Sequence, residues 1–210
     1  MLSLAIKRVA VATATAASVT IAAMGVSMAA PDVNKAAPDF TGTTSDGGTF
    51  TLSSMAKEGR KVILEWTNHD CPYVRKHYDT DNMQSLQEDA AERDVVWVTV
   101  ISSAPGKQGH VSAQEANALT EKRNASPDYV ILDESGDIGR LYDAKTTPHM
   151  YIVDEDGVLR YMGAIDDKPT SRKSTVEGAR NYVRIALGEL EAGEAVTEAV
   201  TTPYGCSVKY

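Results

Sequence analysis

Lys61-Val-Ile-Leu-Glu-Trp66 is an almost unbroken apolar run, and five residues beyond it Cys71-Pro72 opens a long stretch with helical spacing. A short run crowded with Val, Ile, Leu and Trp fits a strand covered on both faces. Pro72 fits the first position of the following helix, because the N–H it lacks would be unpaired there in any residue. Cys71 then stands at the mouth of that helix, where free backbone N–H groups and the positive end of the helix dipole favour a thiolate. A cysteine titrating near 8.5 is only about 3 % ionised at pH 7, whereas one lowered to about 6.5 is about three-quarters ionised. Residues 66–73 are therefore the expected site of a reactive thiol, against the alternative of a buried, inert cysteine.

The rest of the chain alternates strands and helices around this junction. Ala37 to Leu52 holds short apolar stretches about the turn Ser45-Asp-Gly-Gly48, which predicts a small hairpin, and one helical turn follows over Ser53–Lys57. Tyr73, Val74, His77, Tyr78, Met83, Leu86 and Ala90 give two helical pieces with an irregular Asp79–Asn82 between them. Strands are expected at Asp94–Ile101, Asp128–Leu132, Met150–Val153 and Val158–Met162, the last two joined by the turn Asp154-Glu-Asp-Gly157. Ser112-Ala-Gln-Glu115 is a capping box opening a helix to about Arg123, and Gly136–Tyr142 is a shorter helix. Ser174-Thr-Val-Glu177 reads as a second capping box, opening a helix through Val183, Ala186, Leu187 and Leu190. Strand, helix, strand, helix, strand, hairpin and closing helix make an α/β sandwich on a central mixed sheet.

Lys7-Arg8, the Ala/Thr/Val run to Val26 and the small residues up to Ala30 have the order of a cleaved signal peptide over residues 1–30. The apolar run is short and poor in transfer energy for a membrane anchor, so the mature chain is expected to be exported, to a periplasmic type of compartment, and free of the membrane. Without Lys7 and Arg8 it has 19 basic against 29 acidic residues, a formal charge of −10. Such a surface repels nucleic acid and anionic lipid. Two cysteines in an oxidising compartment suggest one disulfide, permanent or transient. Neither Cys71 nor Cys206 belongs to a Cys-x-x-Cys or a zinc pattern, and no metal or other cofactor is expected. The acidic pairs at 79 and 81 and at 154–156 lack the glycine and distal glutamate of a calcium loop.

Thr146-Thr147-Pro148-His149 stands directly before the apolar strand Met150–Val153, where proline is tolerated only at a strand start or in a special geometry such as a cis peptide. With the strand-Trp-loop-Cys-helix unit about 75 positions earlier, this resembles the thioredoxin fold, in which a cis proline lies against the reactive cysteine. Ala-Pro-Asp-Phe40, Leu132-Asp133-Glu-Ser-Gly136, Tyr142-Asp-Ala, the run Thr147 to Gly157 and Tyr161-Met-Gly-Ala-Ile-Asp166 look like the redoxin branch, which includes the alkyl hydroperoxide reductase/thiol-specific antioxidant (peroxiredoxin-like) domain. The resemblance covers about Ala36 to Leu190. It implies a thioredoxin-like domain over residues 36–192, a C-terminal tail over 193–210 carrying Cys206, and thiol oxidoreductase activity on protein disulfides or on small peroxides.

In that frame Cys71 is the nucleophile and Cys206 the resolving thiol, within one chain or across a dimer; a permanent Cys71–Cys206 staple in a non-enzymatic binding module is the alternative. Partners would be a thiol or disulfide protein, or a reductant. Thr147 and Pro148 are expected to hold an extended substrate through free backbone groups, with Pro72 beside them and Asn68 either donating to a substrate oxygen or closing the turn. His69 and Asp70 tune the thiol in opposite senses if they face it, and Trp66 is a further neighbour. His77 falls off the thiol's helical face and is expected to be packed.

Overall fold

The computed structural model describes residues 30–210, so that all of the expected leader but Ala30 lies outside the described residues. A leading hairpin, β1 (Thr41–Thr43) and β2 (Thr49–Thr51), runs into α1 (Leu52–Lys57). β3 (Val62–Trp66) follows, then α2 (Pro72–Tyr78) and α3 (Asn82–Glu92), β4 (Val96–Ile101), α4 (Ala113–Lys122), β5 (Tyr129–Leu132) and α5 (Asp137–Leu141). The two-residue β6 (Thr146–Thr147) precedes β7 (His149–Val153) and β8 (Leu159–Gly163), and the chain ends with α6 (Tyr182–Glu191) and the two-residue β9 (Cys206–Ser207).

The central sheet has five strands in the order β5-β4-β3-β7-β8. β3, β4 and β5 are mutually parallel, while β7 and β8 run antiparallel to their neighbours, so the sheet is mixed. Every residue of β3, β4 and β7 is buried, as the apolar runs require of a sheet covered on both sides. Alternation along β3 separates the two covers. Val62, Leu64 and Trp66 face a core with the hairpin, α1 and α5, including Phe40, Phe50, Met55, Ile138 and Tyr142. Ile63 faces a second core built with α2, α3 and α6, including Cys71, Val74, Leu86, Trp97, Tyr161 and Val183.

Local signals hold in most places. Ser112 and Glu115 form the reciprocal capping box at the start of α4. Pro72 is at the first helical position of α2, and Asp81, with φ +56°, interrupts the chain between α2 and α3. The second expected capping box does not form. Lys173–Thr175 is a single 3₁₀ turn, Gly178 takes φ +71°, and α6 starts only at Tyr182, capped by the Asn181 side chain accepting from the Arg184 N–H at 3.0 Å. A glycine in the left-handed region ends any helix begun at Ser174, and the asparagine offers the better cap.

Among the described residues no helix is long and apolar enough to cross a membrane.

Candidate functional site

β3 delivers the chain to the site and α2 carries it away. Cys71 is the N-cap residue of α2, but its side chain makes no cap bond to the helix amides. This corrects the expectation that the thiol faces them. Sγ turns instead toward the sheet edge, where it lies 3.2 Å from the Thr147 carbonyl oxygen and 2.6 Å from Sγ of Cys206. Cys71 is fully buried and Cys206 half-buried. The Thr147–Pro148 peptide is cis, as the resemblance to the thioredoxin fold implies, and both residues are buried.

Cys206 reaches this point along the backbone. β9 pairs antiparallel with β6, Thr147 opposite Cys206 and Thr146 opposite Ser207. The edge expected to hold an extended substrate is thus occupied by the chain's own tail. Gly205 permits the approach: its φ is +142°, and a Cβ there would run into the Thr147 carbonyl. Upstream the tail is tied to β8, with the Met162 N–H donating to the Ala199 carbonyl at 3.0 Å and the Thr201 hydroxyl meeting the Tyr161 hydroxyl at 2.7 Å. Downstream the Tyr210 hydroxyl donates to the Ala144 carbonyl at 2.9 Å, and Arg140 lies over its ring.

Burial pushes the Cys206 thiol up, to about 12, and the bond and charge of Cys71 act in the same direction while Lys209 opposes them. Cys206 is therefore a protonated thiol at neutral pH.

A model of the Redoxin family matches residues 32–181. The chain belongs to the redoxin family. Among solved structures, it superposes on an uncharacterised conserved protein from Geobacillus kaustophilus with a TM-score of 0.73 at 25 % identity, over 85 % of this chain and 92 % of that one. A hypothetical protein from Sinorhizobium meliloti gives 0.73 at 20 % identity, over 87 % and 96 % of the two chains. A protein assigned as a thiol:disulfide interchange protein DsbE, from Chlorobium tepidum, gives 0.51 at 22 % identity, over 63 % and 85 %. No curated protein matches significantly. The fold is thioredoxin-like, with the leading hairpin in place.

The remaining expected residues divide clearly in this redoxin. Asn68 is buried with both ends of its amide in use, Oδ1 accepting from the Asp70 N–H at 3.0 Å and Nδ2 donating to the Gln108 carbonyl at 3.2 Å. It closes the turn. His69 meets Asp70 at 3.4 Å, and burial lowers its pKa against the pull of Asp70. Its ring is thus neutral near pH 7 and its contact is with Asp70, not with the thiol. Asp70 and Pro72 are exposed. Trp66 lies in the core on the other face of the sheet, its Nε1–H donating to Ser102 at 3.0 Å and its ring against Tyr142 and Tyr151. It does not neighbour Cys71.

Two buried polar groups escaped the sequence reading. Glu65, in the middle of β3, is fully buried and accepts from the Tyr78 hydroxyl at 2.9 Å, Trp97 Nε1–H at 3.0 Å and the Thr99 hydroxyl at 3.1 Å. Burial raises its pKa, and the three donors oppose the rise. A carboxylate inside an apolar strand run was the available signal. The other is Lys76 of α2, whose ammonium lies buried 3.3 Å from Asp166 and donates to the Lys168 carbonyl at 3.0 Å. His77 is packed as expected, but it also belongs to this second group through Tyr204.

Proposed function

We propose that this redoxin is a thiol oxidoreductase in which Cys71 is the nucleophile and Cys206 the resolving thiol, acting on disulfides. The observation that carries the reading is the 2.6 Å separation of two sulfurs that are 135 residues apart in sequence, at the edge bearing the cis proline. In the reductive direction the Cys71 thiolate attacks one sulfur of a substrate disulfide and expels the other as a thiolate. Cys206, losing its proton, then attacks Cys71 Sγ, forming the Cys71–Cys206 bond and releasing the second substrate thiolate. Two electrons pass from the dithiol to the substrate, and an external reductant restores the dithiol.

Thr147 and Pro148 form the substrate edge in this reading. The β6–β9 pairing supports a polypeptide disulfide over a small peroxide, since this edge already accepts an extended backbone. The composition of residues 1–30 supports action in an exported, oxidising compartment.

The test is trapping by single substitution. Cys206→Ser should accumulate a mixed disulfide through Cys71 with an insulin-type substrate, and Cys71→Ser should form none and turn over nothing. Faster turnover of hydrogen peroxide than of the protein disulfide would move the substrate to peroxides. Full turnover by Cys71→Ser, or a wild-type disulfide resistant to reductants until the chain unfolds, would leave a binding module with a structural staple.

A further inference from the structure

The tail residue two positions before Cys206 ends in a buried polar cluster that the thiol chemistry does not use. The Tyr204 hydroxyl is 3.2 Å from Lys76 Nζ and 3.2 Å from His77 Nε2, and it donates to Asp166. Asp166 in turn faces Lys76 and accepts from the Lys168 N–H at 2.9 Å, and Asn82 Nδ2 meets the far side of the His77 ring at 2.9 Å. The Tyr204 ring packs edge-on against Tyr73 of α2, with centroids 5.9 Å apart. One phenol therefore ties the tail to α2, the helix that Cys71 caps, and to the segment after β8. Gly205 follows at once, allowing backbone pairing with Thr147, and Cys206 arrives opposite it.

We infer that Tyr204 is a positioning residue for resolution: its hydroxyl, held by Lys76, Asp166 and His77, fixes the register in which Cys206 meets Cys71. This rests on the reading of Cys206 as the resolving thiol. A side chain held by charged partners loses its freedom before reaction, which raises the effective concentration of the thiol two residues on. The step served is the displacement in which the Cys206 thiolate attacks Cys71 Sγ of a mixed disulfide, making the intramolecular bond and expelling the partner thiolate.

The experiment compares the full chain with Tyr204→Phe and Gly205→Ala, each equilibrated with mixtures of glutathione and its disulfide at 25 °C and quenched with acid. One glutathione disulfide plus the protein dithiol gives two glutathione thiols plus the Cys71–Cys206 bond, so the bonded fraction by mass spectrometry reports the effective concentration of the pair. Tyr204→Phe keeps the ring and removes only the hydroxyl, and should lower that concentration by roughly tenfold, the scale of a hydrogen bond to charged partners. Gly205→Ala, whose added methyl runs into the Thr147 carbonyl and so displaces the tail there, should lower it at least as much. A structural role alone would change the melting temperature and leave the effective concentration where it was. An unchanged value in Tyr204→Phe overturns the inference whatever Gly205→Ala does. Failure of the wild-type chain to form the bond in any mixture would instead overturn the assignment of Cys206 itself, and the inference with it.

Discussion

Joining Cys71 to Cys206 should stabilise the fold by an amount set by the chain between them. The bond closes a loop of 135 residues in the unfolded ensemble, and at that length the loss of chain entropy amounts to about 5 kcal/mol. The folded state gives little back, because β9 already pairs with β6 and the tail is held on both sides of Cys206. For a domain of this size each kcal/mol is worth roughly 2–4 °C, so the oxidised protein should melt about 10–20 °C above the reduced one. Calorimetry with and without reductant measures the gap, and Cys206→Ser, which cannot close the loop, should melt with the reduced protein under both conditions. By the same thermodynamic cycle, folding must favour the bond by the energy with which the bond favours folding. The disulfide should then be three to four orders of magnitude harder to reduce in the native chain than in the denatured one, on the scale of about 1.4 kcal/mol per tenfold. Melting points that coincide within a couple of degrees, in samples whose disulfide is verified by mass, would refute the loop-closure reasoning; a gap that persists in Cys206→Ser would assign it to something other than this bond.

Three further outcomes follow from buried polar groups. Burial lowers His77 to about 4 and His149 to about 3, and the Lys145 N–H and Tyr151 hydroxyl already face His149 Nδ1. The unfolded chain therefore takes up these protons first as pH falls below about 6.5, and stability is lost from there down to pH 4 and 3; His77 alone contributes on the order of 3 kcal/mol by pH 4, so urea midpoints that do not fall between pH 7 and 4.5 would contradict both assignments. Glu65→Ala leaves the Trp97 indole Nε1–H and the Thr99 and Tyr78 hydroxyls without their acceptor, at about 1–3 kcal/mol each, and should cost more in urea unfolding than Glu65→Gln, which keeps an acceptor oxygen; the reverse order would discount the network. Asp166→Ala leaves the Lys76 ammonium buried and unpaired, at about 3–5 kcal/mol, and Lys76→Met in the same chain should recover part of that loss; simple additivity of the two would mean they are not coupled.

The strands were legible because burial on both sides forces continuous apolar runs, and β3, β4 and β7 are such runs. Pro148 directly before a central strand marked a special position, but the cis bond itself was legible only through the resemblance to the thioredoxin fold, since a proline at a strand start can also be trans. Side-chain direction was not. Whether Cys71 faced the amides of α2 or the sheet edge depended on the backbone of β6, 76 residues away, and Trp66 went to the other face of the sheet by the simple alternation of β3. The start of α6 was misplaced because Ser174–Glu177 satisfies a local pattern that Gly178 and the stronger Asn181 cap override. Nothing local marked Lys76 as buried: an exposed lysine and one held by Asp166 from 90 residues away look the same within α2.

The tail solves a problem that the start of α2 poses. The position three residues after Cys71, where a Cys-x-x-Cys motif would put its second thiol, is Val74, fully buried in the core beneath α2. With valine at that position, the chain's second sulfur, Cys206, comes from outside the helix. β9 brings it by pairing with β6, so that the same two residues that lead into the cis proline provide the backbone partners. A thiol fixed within a helix would have its proximity set by rigid covalent geometry. A thiol on an added strand has it set by noncovalent anchors at Tyr204, Thr147 and Tyr210, each of which can be weakened separately. In the proposed roles the strand and an extended substrate would compete for Thr147, so tighter anchors should speed resolution and slow entry, and the tail is fastened on both sides of Cys206: upstream by the Tyr204 hydroxyl on Asp166 and Lys76, downstream by the Val208 N–H on the Lys145 carbonyl at 3.1 Å, the Ala104 N–H on the Lys209 carbonyl at 2.8 Å, and Tyr210 between the Ala144 carbonyl and Arg140.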